Sequence, residues 1–91
     1  MMILHTVNKS PFSNSAYHSC LRLAAPEDVI LLLEDGVYGA LTDMPAGQIC
    51  ALKNDVQARG LLEKIPEKVV LVGYSEFVQM ACEASAVQSW Y

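Results

Sequence analysis

At 91 residues the chain has the length of one domain, residues 1–91, and encloses only a modest core. Its composition is 53% apolar and 18% charged, which leaves apolar surface over for partner chains. The formal charge of −4 excludes a phosphate-binding face, because nucleic-acid affinity rests on clustered Lys and Arg that release counterions.

No apolar run approaches the roughly 20 residues of a membrane span, and the start Met1-Met2-Ile3-Leu4-His5 lacks the basic stretch of a signal peptide. The expected location is the cytoplasm, with no membrane partner. Cys20, Cys50 and Cys82 form no Cys-x-x-Cys pair, so reduced thiols are expected. His5, His18 and Cys20 lack the second ligand pair that would close a tetrahedral site, and no metal is expected.

In chain order, four apolar runs read as strands: Ile3 to Val7, Val29 to Leu33, Gln48 to Leu52 and Val69 to Val72. The second and fourth are continuous, as in strands buried on both faces of a parallel sheet. After the first, Ser13 is placed to cap a helix reaching about Ala25, with Phe12 and Tyr17 spaced for a hydrophobic staple. Pro26, Glu27 and Asp28 break that helix.

Asp35 is placed to cap a short helix from about Gly36, ended by Met44-Pro45-Ala46-Gly47. Asn54 or Asp55 caps a third, short helix that carries Val56 and Ala58 and closes at Gly60. Ser75 caps a fourth, with Phe77, Val78, Ala81 and Cys82 as its apolar stripe, and the tail Ala86 to Tyr91 follows. The alternation predicts a three-layer α/β/α fold of flavodoxin-like architecture, with a mainly parallel sheet of four to five strands.

Reactive groups of such sheets gather beyond the carboxyl ends of the strands. That rim carries no Gly-x-Gly-x-x-Gly and no Walker-type loop, so a free-standing nucleotide binder lacks its phosphate cradle. Glu34 and Asp35 are adjacent and point apart, and Asp35 reads as a cap rather than half of an acid/base pair. Tyr74 and Trp90 fit either fold packing or a binding anchor.

Cys50, inside a strand, and Cys82, on an apolar stripe, read as small buried hydrophobes. Cys20 shares a helix face with Ala16, Tyr17, Leu21, Leu23 and Ala24, which is also the pattern of a core thiol. Neither a helix N-terminus nor a cation on its own face activates it.

Four segments carry a resemblance: Leu4-His5-Thr6-Val7-Asn8-Lys9-Ser10-Pro11-Phe12, Leu32-Leu33-Glu34-Asp35-Gly36-Val37, Asp55-Val56-Gln57-Ala58-Arg59-Gly60 and Val87-Gln88-Ser89-Trp90. In this order they resemble the DsrH/TusB family over nearly the whole chain. The resemblance implies a small cytoplasmic subunit of a sulfur-relay (sulfurtransferase) complex. Its partners would be DsrE/TusD-like and DsrF/TusC-like subunits, in a heterohexamer with two copies of each. The isolated chain is open to self-association.

In the Tus branch such a complex passes persulfide sulfur toward 2-thiouridine at the tRNA wobble position, with tRNA handled elsewhere; in the Dsr branch it serves sulfur oxidation. The resemblance places the principal persulfide cysteine on the DsrE/TusD-like partner. It also matches Cys20 to a cysteine typical of DsrH-type members and often missing in TusB-type ones, which tilts the branch toward DsrH and makes Cys20 the candidate persulfide carrier here. No resident cofactor is implied beyond a transient cysteine persulfide. Two roles follow: a sulfur carrier acting through Cys20, with Lys9 or a partner supplying a cation, or a noncatalytic scaffold.

Overall fold

A computed structural model describes residues 2–42 and 48–91. It contains the four expected strands: β1 (Ile3–Val7), β2 (Val29–Leu32), β3 (Gln48–Leu52) and β4 (Val70–Val72). A fifth, β5 (Ala86–Trp90), lies in the tail. All pair in parallel, in the order β4-β3-β2-β1-β5. The continuous run of β2 is buried at every position, as its place at the centre of the sheet requires.

Side chains alternate between two cores. On one face Val7, Ile30, Leu32, Ile49 and Ala51 pack with Tyr17, Cys20, Val37 and Val56. The covering elements are α1 (Ala16–Leu23), a 3-10 helix (Glu34–Leu41) and α2 (Lys53–Ala58). On the other face Leu4, Val29, Leu31, Cys50, Leu52 and Val72 meet Phe77, Met80 and Ala81 of the helix α3 (Tyr74–Glu83), and Ala84 at its C-cap. Among the described residues no helix is long and apolar enough to cross a membrane.

Several expected caps are displaced. The first helix starts after Ser15, and the amide oxygen of Asn14, not the hydroxyl of Ser13, accepts the Ala16 N–H at 2.7 Å. Phe12 is 70% exposed while Tyr17 is buried, so the staple does not form; Tyr17 turns inward, its ring 3.0 Å from where a Cβ on Gly39 would lie.

Asp35 lies within the 3-10 helix, which begins one residue earlier, and the expected stop at Met44-Pro45-Ala46-Gly47 falls outside the described residues. Asn54 and Asp55 are likewise inside α2. Gly73, not Ser75, occupies the N-cap of α3, and Glu76 reaches back to accept the Gly73 N–H at 2.8 Å. Gly60 does close α2, at φ 66°, where a residue without Cβ is favoured.

Candidate functional site

The carboxyl end of β2 turns into Glu34, whose φ of 49° lies in the left-handed region. Its N–H donates to the Asp55 carboxylate at 2.7 Å. Arg59 in turn donates to Asp35 through Nε at 3.0 Å, with Nη2 paired to the same carboxylate oxygen at 2.9 Å, and donates through Nη1 to the Asp55 carbonyl at 3.2 Å. Glu34 and Asp35 therefore latch the 3-10 helix to α2 and form no acid/base pair. Gly36 makes the close approach possible, since a Cβ there would stand 1.9 Å from the Val7 carbonyl oxygen.

Cys20 is fully buried in α1. Burial, and secondarily the Asp28 carboxylate, push its thiol up to about 11, the opposite of what a nucleophilic thiolate needs. Cys50 is also buried and its thiol also raised, first by burial and then by Glu76. Cys82, expected in the core, is exposed. The inward stripe of α3 is Phe77, Met80 and Ala81, continued by Ala84 at the C-cap, a spacing of three and four that rotates Val78 and Cys82 away from the sheet.

Sequence reasoning missed a buried polar network at the other end of β1. The Asp28 carboxylate accepts the Ile3 N–H at 3.0 Å, the Ala25 N–H at 3.0 Å and Nε2–H of His5 at 2.8 Å. Those bonds, that from His5 foremost, lower Asp28 to about 2. His5 Nδ1 then accepts the indole N–H of Trp90 at 3.0 Å. An indole can only donate, so the geometry fixes His5 as the neutral tautomer protonated on Nε2. The available signal was a histidine placed in an apolar strand.

A cavity of about 320 Å³ opens beyond the carboxyl ends of β1 and β5, against Leu33 and Phe77. Thr6 and Ser89 line it, with Oγ1 of Thr6 donating to Oγ of Ser89 at 3.2 Å. Asn8 and Trp90 line it as well. None of the three cysteines does.

An all-parallel five-stranded sheet with helical elements packed on both faces defines a small α/β domain that leaves several apolar side chains exposed. A family model described as DsrH like protein matches residues 9–87, and the chain belongs to that family. The chain is 35% identical to protein TusB of Cronobacter sakazakii over 97 residues, covering 97% of this chain and 100% of the relative. It is 36% identical to protein TusB of Erwinia tasmaniensis over 96 residues, with the same coverage.

Among solved structures, protein Tm0979 of Thermotoga maritima is 31% identical, with a TM-score of 0.74 over 90% of this chain and 93% of that one. The ychN protein of E. coli shares the fold, with a TM-score of 0.80 over 98% of both chains at 18% identity.

Proposed function

We propose that this chain is a subunit of a sulfur-relay complex of the tRNA-thiolating kind, and that its part there is structural. The full-length similarity to proteins named TusB carries the reading. On the resemblance set out above, the complex joins it to DsrE/TusD-like and DsrF/TusC-like subunits in the cytoplasm and delivers persulfide sulfur for wobble 2-thiouridine. Exposed apolar side chains support assembly with partners: Tyr74 is 64%, Val70 57% and Val87 48% exposed.

The scaffold role is favoured over the carrier role by the state of the thiols. A carrier Cys20 would attack the outer sulfur of a partner's persulfide as a thiolate, form Cys20–S–SH and release the partner's thiolate. Its burial and its raised pKa both oppose that step.

The test is co-expression with the two partner subunits, treatment of the assembled complex with a sulfide donor, and peptide mass spectrometry. The expected result is a sulfur adduct on a partner cysteine and none on Cys20, with Cys20→Ser leaving assembly and sulfur flux intact. An adduct on Cys20, or flux lost while assembly persists, replaces the scaffold role with the carrier role. Failure to assemble removes the sulfur-relay reading itself.

A further inference from the structure

The strand order sets apart one place on the sheet. From β1 the chain steps through β2, β3 and β4 in one direction, and β5 then returns to the opposite side of β1. The border of β1 and β5 is therefore a topological switch point, where parallel α/β sheets leave a crevice beyond the strand ends that holds ligands. The cavity of about 320 Å³ occupies that crevice, at the lower end of the size range of small-molecule sites.

Its lining narrows the ligand class. Among the described residues no Lys, Arg, Asp, Glu, His or Cys lines it, so these offer no counter-charge to a phosphate and no ligand set for a metal. Thr6, Asn8 and Ser89 would be left facing a purely aliphatic guest. The rings of Phe77 and Trp90 supply aromatic walls. The Trp90 N–H is already held by His5 at 3.0 Å, so its ring is a fixed wall rather than a free donor.

A second observation points the same way. The amide oxygen of Asn8 is shielded from solvent and accepts no hydrogen bond, an arrangement that a native structure compensates through a partner. An Asn amide pairs through its adjacent donor and acceptor with a ring edge carrying the complementary pair, as on adenine. Asn8 lines the cavity, and rotation about its last side-chain torsion, which is soft in Asn, would bring that amide to face a guest.

We infer that this cavity binds an uncharged planar heteroaromatic ring of the nucleobase class, stacked on its aromatic walls and held at its edge by the amide of Asn8. The site takes a base or nucleoside in preference to a nucleotide, because no cation among the described residues lines it to meet the phosphate charge. It lies apart from the thiols and does not depend on the sulfur-relay reading.

The test is an NMR titration of the 15N-labelled full chain with adenine, and separately with adenosine and adenosine monophosphate. Expected are saturable shifts centred on the Trp90 indole N–H and the amides of Thr6, Asn8 and Ser89, with Kd on the order of 1 mM for so small a ring. The monophosphate should bind no more tightly than adenosine. Asn8→Ala should weaken adenine about fivefold.

Ser89→Phe, which fills the cavity from an exposed edge strand, should abolish adenine binding while the remaining spectrum stays native. No saturable shift at these residues at about ten times that concentration overturns the assignment. So does adenine binding unchanged in both variants.

Discussion

Trp90 and His5, 85 positions apart, are joined by a single hydrogen bond of 3.0 Å from the indole N–H to Nδ1. Through His5 that bond reaches the Asp28 carboxylate, 2.8 Å from Nε2. One polar chain thus ties the edge strand β5 to β1 and to the entry of β2. Trp90→Phe keeps most of the apolar contact and deletes the donor, leaving a buried ring nitrogen unpaired. Unfolding in urea should show a loss of about 1 kcal/mol, with faster amide exchange in β5 than in β2.

The same network contributes to the pH dependence of stability in acid. Asp28 ionises at about 2 in the fold against an ordinary 3.8, because the His5 bond and two backbone N–H groups hold its charged form. A lowered carboxylate contributes stability that is complete above its ordinary value and is lost as pH falls through the folded value. Urea midpoints should therefore fall more steeply between pH about 4 and about 2 in the natural chain than in Asp28→Asn. Equal slopes would remove Asp28 as the source.

The thiols divide by burial. Cys20 and Cys50 are buried and Cys82 is exposed, so a disulfide reagent at mildly alkaline pH should label one thiol per native chain quickly. The other two should react only after denaturant is added. Cys82→Ser should abolish the fast phase; a fast phase that survives it would show that Cys20 or Cys50 is accessible.

Gly36 marks where the 3-10 helix presses on the end of β1. A methyl group there would meet the Val7 carbonyl oxygen at 1.9 Å, and backbone cannot give way as a flexible side chain does. Gly36→Ala should destabilise by about 3 kcal/mol, read as a fall in Tm of about ten degrees or more. Gly60→Ala, with nothing within 4 Å but φ at 66°, should cost about 1 kcal/mol through backbone strain alone.

The sequence was most legible where burial imposes a period. β2 and β3 read clearly because their apolar runs are internal strands. β5 did not, because an edge strand exposed at four of its five positions needs no apolar run. Asp28 read as a helix breaker, and its second role as acceptor for three N–H groups depends on pairs 3, 23 and 25 residues apart. Asp35 and Asp55 read as caps because local spacing cannot show that Arg59 and the Glu34 N–H reach them across the fold. Cys82 went astray on a phase error of one residue in the α3 stripe.

That latch yields a prediction of opposite sign to the rest. Glu34 holds φ at 49°, a conformation that costs a residue bearing a Cβ on the order of 1–2 kcal/mol. The Asp55 carboxylate accepting its N–H at 2.7 Å helps to hold it there. Glu34→Gly removes the strain but frees the unfolded chain, so a net gain of about 0.5 kcal/mol is expected.

Asp55→Ala should instead destabilise by about 1 kcal/mol, as the Glu34 N–H loses its acceptor. Arg59→Ala should cost less, because Asp35 is 62% exposed in that pair and solvent screens it. Thermal melts of the three variants order these terms, and a destabilised Glu34→Gly would mean that the carboxylate of Glu34, rather than its backbone, matters at this turn.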